Sequence, residues 1–124
     1  MIYLDTHVVA WLYVGDLSVF SSDAQKAMSA SPLLVSPIVR LELTYLYEIG
    51  RLKTQANVML DYLLERIGLT VCNLPFERVI AAAVNQTWTR DPFDRIIVGQ
   101  AAAQMSELVT KDRNIRDHYA QTIW

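Results

Sequence analysis

The chain has 124 residues, a formal net charge of −2, 52% hydrophobic residues and a single cysteine. That length fits one domain, since domains cluster at about 100–150 residues, and the apolar share can build a core without disulfide or metal staples. One cysteine excludes an intrachain disulfide, no apolar run reaches the roughly 18–20 residues of a membrane span, and the acidic balance argues against a generic nucleic-acid binder, which would be basic.

The N-terminus opens directly on Ile2-Tyr3-Leu4-Asp5, without the basic region or cleavage site of a signal peptide. A cytoplasmic protein is therefore expected, with Cys72 a buried thiol in a reducing compartment. Short apolar runs at 2–4, 33–36, 69–74 and 108–110 read as strands buried on both faces, and 122–124 as a fifth. Between them, 6–14, 22–30, 38–50, 54–67, 76–88 and 93–106 carry helical periodicity. Ser21 or Ser22 can cap the second of these helices, while Gly50 and Gly68 end the third and fourth. Strands alternating with helices predict a single α/β domain over residues 1–124, with a mostly parallel sheet covered on both faces. In such folds chemistry gathers beyond the carboxyl ends of the strands.

Four acids fall where that rule points. Asp5 directly follows the first strand and Asp112 lies two residues past the fourth; each also suits a helix N-cap. In the 38–50 helix, about 3.6 residues per turn groups Ile38, Leu41, Tyr45, Leu46 and Ile49 on one stripe. Glu42 falls in the middle of it, a costly place for a carboxylate unless an arginine or a cation compensates. In Arg90-Asp91-Pro92-Phe93-Asp94-Arg95, Pro92 suits the first helical position, so Asp91 is the N-cap and Asp94 the third helical residue. Asp94 then heads an inward stripe with Ile97, Val98, Ala101 and Met105, and Asp91 turns to the rim as a cap or supporting residue.

Clustered carboxylates raise one another's pKa unless a cation compensates, and oxygen ligands without paired His or Cys select Mg²⁺ or Mn²⁺. Such an ion activates water and stabilises a phosphodiester undergoing cleavage. Arg90, Arg95, Lys111 and Arg113 lie within four positions of Asp91, Asp94 or Asp112, which suits gripping an RNA backbone and equally suits surface ion pairs. His7 can reach the rim of the site, although packing or hydrogen bonding is the favoured role, and His118 is expected at the surface.

Taken together, Tyr3-Leu4-Asp5-Thr6-His7, Arg40-Leu41-Glu42-Leu43, the Asp-Pro-Phe-Asp-Arg segment 91–95 and Val109-Thr110-Lys111-Asp112 resemble the PIN-domain family, and within it the VapC-like toxins. The resemblance covers essentially the whole chain. It implies a three-layer α/β/α fold with a five-stranded parallel sheet, and Mg²⁺- or Mn²⁺-dependent cleavage of RNA. It maps the metal-binding, catalytic quartet onto Asp5, Glu42, Asp94 and Asp112, with Thr6 and Thr110 as supporting hydroxyls. It further implies a homodimer silenced by a cognate antitoxin protein.

Two rival readings differ in class. A receiver domain wants an acid at the end of the third strand, where this chain has Asn73-Leu74-Pro75. A non-catalytic interaction module would use Trp11, Tyr13, Tyr45 and Tyr47 as surface anchors, and Glu42 discriminates against it, because a scaffold gains nothing from an acid on a core-facing stripe. The same four aromatics, too many for a core of this size, motivate the expectation of a homodimer and of a partner covering the acidic groove.

Overall fold

The computed structural model describes residues 1–124. Five strands, β1 (Ile2–Leu4), β2 (Leu33–Val35), β3 (Thr70–Val71), β4 (Glu107–Val109) and β5 (Thr122–Ile123), form one sheet in the order β3-β2-β1-β4-β5. Every pairing is parallel. Seven helices surround it: α1 (Thr6–Val14), α2 (Ser22–Ala30), α3 (Pro37–Glu48), α4 (Ala56–Ile67), α5 (Phe76–Val84), α6 (Pro92–Ala103) and α7 (Arg113–His118). The result is the expected three-layer α/β/α arrangement. No helix is long and apolar enough to cross a membrane.

Local chemistry sets the helix boundaries. Ser21 caps α2 through Ala24 N, Ser36 caps α3 with Pro37 in the first turn, and Gly15 and Gly68 end α1 and α4 in the left-handed region that costs glycine little. The 76–88 segment stops being helical at Val84, with Asn85 as its C-cap. The last helix of the expected set runs from Pro92 to Ala103, so Met105 leaves its stripe, at φ 50° and 82% exposed. Helix α7 was not expected as an element; six residues are too few for a periodic pattern to declare it.

The core holds β1 entirely, with Val35, Leu43, Ile97, Val98, Leu108 and Ile115. Fully burying one such side chain contributes about 1.5–3 kcal/mol. Two expectations about burial need correction. The 69–74 run is not a strand buried on both faces: β3 is a two-residue strand at the sheet margin with both residues exposed, flanked by the buried Leu69 and Cys72. In α3 the core stripe is Val39, Leu43 and Leu46, whereas Leu41, Tyr45 and Ile49 stand in solvent. The periodicity is present, but two apolar stripes share the helix through Leu46, and the core, on the side of α1, α4 and α6, takes the one with Val39 and Leu43. Glu42, half-buried, lies on the boundary between them.

Helices α5 and α6 cross unusually closely. A Cβ on Gly99 would sit 2.8–2.9 Å from the backbone N, Cα and Cβ of Ala83, so only glycine allows the approach. One turn earlier in α6, Arg95 secures the same contact, its Nε donating to Ala83 O at 3.3 Å and Nη2 to Val84 O at 3.0 Å.

Candidate active site

Chain order and sheet order together fix where a site can form. From β1 the chain builds outward to β2 and β3, then returns across the sheet to β4 and β5. The crevice beyond the C-terminal ends of the adjacent β1 and β4 is therefore the topological switch point at which open parallel sheets hold their ligands. Register pairs Leu4 with Val109, so the next residues of each strand, Asp5 and Thr110, face one another across it.

Asp5 is 6% exposed. Its Oδ1 accepts from Thr6 N at 2.7 Å, which caps α1, and its Oδ2 accepts from Thr110 Oγ1 at 2.7 Å. Thr110 Oγ1 in turn accepts from Asp112 N at 3.1 Å, and Asp112 Oδ1 caps α7 by accepting from Ile115 N at 3.0 Å. The capping and site readings of these acids are thus compatible, because each engages its helix through one oxygen. Thr6, fully buried, donates from Oγ1 to Glu42 Oε1 at 2.5 Å, which ties α3 to the end of β1. No arginine partners Glu42.

Asp91 Oδ1 accepts from Phe93 N at 2.8 Å and Asp94 N at 3.2 Å, the expected N-cap. Asp91 itself is exposed and Asp94 half-buried. Desolvation, followed by the negative charges of Asp91, Asp5, Asp112 and Glu42, pushes the Asp94 carboxyl up to about 7. Burial likewise raises Asp5, partly offset by its bonds from Thr110 and Thr6 and by the charge of His7; the charge of Asp112 raises it further. Burial raises Glu42, with the Thr6 hydroxyl and His7 opposing and Asp5 and Asp91 reinforcing. The four acids are near enough to feel one another electrostatically, although no three His, Cys, Asp or Glu side chains stand close enough to enclose an ion as they are placed. As a donor set they fit a hard divalent cation: all ligand atoms are oxygen, and three of the acids resist ionisation.

Beyond the acids, the basic residues divide. Lys111 and Arg113 are exposed on the segment that carries Asp112. Arg90 is exposed but bonded through Nη1 to the carbonyl oxygens of Thr87 and Thr89. Arg95 departs from the expected RNA-facing role, because its guanidinium binds the C-terminal carbonyls of α5, where the helix dipole is negative. His7 is exposed at the rim, 6.1 Å ring to ring from Trp11, and His118 is a surface residue stacked on Trp88 at 5.0 Å. Of the four aromatics expected as anchors, Tyr45 and Tyr47 are exposed; Trp11 and Tyr13 are half-buried against the core. Tyr3, unremarked as a polar residue, buries its hydroxyl beside Cys72 Sγ at 3.0 Å and Gln104 Oε1 at 2.5 Å.

A PIN domain family model matches residues 2–121. The chain belongs to the PIN-domain family. It is VapC-like within it: Ribonuclease VapC22 of Mycobacterium tuberculosis is 32% identical over 119 residues, an alignment spanning 94% of this chain and 91% of the relative. Among solved structures, VapBC2 from Rickettsia felis, determined bound to a DNA fragment from its promoter, matches this PIN domain with a TM-score of 0.58 at 19% identity, each chain fully covered. That second likeness speaks for the fold.

Proposed function

We propose that this PIN domain is a Mg²⁺- or Mn²⁺-dependent endoribonuclease and the toxin of a toxin–antitoxin pair. The observation behind the reading is that Asp5, Glu42, Asp94 and Asp112 lie around the β1–β4 crevice near enough to act on one another electrostatically, with Asp5, Glu42 and Asp94 raised above the ordinary carboxylate range by burial first and neighbouring negative charge second. The ribonuclease relative supports the activity, and the solved toxin–antitoxin relative supports a protein partner.

Asp5, Asp94 and Asp112 would hold the ion, with Glu42 bound directly or through water. The bound ion supplies a more acidic water and stabilises the charge that develops on the phosphodiester. The protein's own contribution is positional. Thr110 fixes Asp5 and the backbone of Asp112 together, and Thr6 fixes Glu42 against α1. Asp91 orients the first turn of α6 and so the carboxyl of Asp94. A partner that silences such a groove would present arginine or lysine to the acids. The exposed Leu41, Tyr45 and Ile49 of α3, with Phe93 5.9 Å from Tyr45 ring to ring, form the surface on which we place a homodimer. The lone buried cysteine suits a reducing cytoplasm.

The test is cleavage of RNA with Mn²⁺ and with EDTA, by the wild type, Asp94→Asn and Asp91→Asn. Asp94→Asn should lose at least about a hundredfold in rate, in line with removal of a group that stabilises transition-state charge. Asp91→Asn should keep activity and lose stability of about 1 kcal/mol or less. Cleavage that survives EDTA, or the two effects reversed, would overturn the assignment.

A further inference from the structure

An acidic edge that is to cut a polyanion needs cations beside it, and here they stand in a pattern. Two clefts flank the catalytic crevice. One, of about 420 Å³, is lined by Arg113, Arg116 and Trp124 and adjoins the Asp112 segment. The other, of about 530 Å³, has an apolar floor that includes Leu46, Leu52 and Met59, carries Trp11, Tyr13, His7, Arg51 and Lys53 on its walls, and adjoins Asp5 through His7. Asp117, in the first, is the only acid lining either, although the chain as a whole is net negative.

The clefts are joined by aromatic surface. The Trp11 and Trp124 rings lie 6.0 Å apart, His7 is 6.1 Å from Trp11, and Lys111 Nζ lies over both indoles, 5.9 Å from one and 5.8 Å from the other. Every cation in the series is exposed, while the indoles are half-buried and braced by Phe20.

We propose that this cation–aromatic strip, from Arg116 and Trp124 past Lys111 and Trp11 to Arg51 and Lys53, is the binding track for unpaired RNA on both sides of the cut. The inference rests on the ribonuclease reading and assigns the residues that hold the strand on either side of the cut. Alternating phosphate-binding cations and flat aromatic faces is how proteins hold single strands, where each base offers a face to stack. A duplex keeps its bases stacked on one another and cannot use the indoles. Lys111 covers the position a base would take, and its exposed ammonium can move to a phosphate when a base arrives.

The experiment is fluorescence anisotropy with a labelled 12-nucleotide oligouridylate in EDTA, so that binding is read without cleavage. Arg116→Gln and Lys53→Gln, at opposite ends of the strip and both at exposed positions, are compared with the wild type across a salt series. Each variant should bind about three- to tenfold more weakly and lower the log–log salt slope by about 0.7, one phosphate contact on a single strand. Oligouridylate should quench tryptophan emission, and Trp124→Phe should remove part of that quench. A hairpin duplex of equal charge should bind at least tenfold more weakly. Undetectable binding by the wild type, unchanged affinity in both glutamine variants, equal affinity for the hairpin, or displacement by polyglutamate at matched charge would each overturn the strip. Cleavage in Mn²⁺ is scored separately. RNA cut normally by both variants with unchanged binding removes the strip alone, while RNA bound along the strip but never cut by the wild type removes the nuclease reading alone.

Discussion

Asp94→Asn should stabilise the metal-free fold at alkaline pH while abolishing activity. Its carboxyl rises from an ordinary 3.8 to about 7, so the folded state holds a proton that the unfolded state has released. At about 1.4 kcal/mol per pH unit that difference corresponds to roughly 4 kcal/mol. The side chain is only half-buried, and screening by solvent reduces this to about 2 kcal/mol. Asp94 also lies in the first turn of α6, where a negative charge is favoured by about 0.5 kcal/mol, leaving a net gain for asparagine of about 1–2 kcal/mol. The sign follows from linkage: a raised carboxyl pKa leaves stability intact below 3.8 and removes it as pH climbs through about 7. Urea unfolding in EDTA at pH 8 should show the variant more stable, and at pH 4 the gap should nearly vanish. Millimolar Mg²⁺ should raise the wild type at pH 8 and not the variant, closing the gap from the other side. A gap of equal size at both pH values, or a less stable variant at pH 8, would refute the claim that uncompensated charge sits at this edge.

Thr110→Val keeps shape but leaves Asp5 Oδ2 and Asp112 N without their partner, so it should cost about 1–3 kcal/mol and most of the activity, with Thr110→Ser restoring both; urea titration and RNA cleavage read this. Arg95→Ala should cost about 1 kcal/mol by freeing the α5 carbonyls and leave the salt slope of RNA binding unchanged, as the same two assays show. Tyr45→Glu should convert a homodimer to a 14.1 kDa species in sedimentation equilibrium; a wild type already at that mass removes the dimer and leaves the catalytic reading in place.

The strands, their order of use and the positions of Asp5 and Asp112 were legible because apolar runs between helical segments leave few alternatives for a parallel sheet. Asp91 and Asp94 were legible because proline at the first helical position assigns roles to its neighbours. The exposed face of α3 was not. Ile38, Leu41, Tyr45, Leu46 and Ile49 satisfy a helical stripe as well as Val39, Leu43 and Leu46 do; Leu46 belongs to both, and periodicity cannot tell a face turned to the core from one turned outward. Glu42 was found for a reason only half right, since it borders the core stripe and does not interrupt it. The role of Arg95 was hidden for a different reason: it depends on where α5 ends in space, eleven and twelve residues away in sequence. Likewise Thr6 could be placed against Glu42 only once α1 and α3 were docked.

Asp5 and Asp112 each give one oxygen to a helix N-terminus, whereas Glu42 and Asp94 hold no backbone group in place. Inactivation at the first pair therefore carries a folding penalty, loss of Glu42 leaves the buried Thr6 hydroxyl without its acceptor, and Asp94 alone can be lost at no cost or even with a gain. If loss of activity is placed under selection, survivors should accumulate at Asp94 ahead of Asp5, Glu42 and Asp112, and the surviving protein should persist folded and abundant. Such a copy keeps every surface outside the crevice, so it would compete with the active form for any partner that binds there.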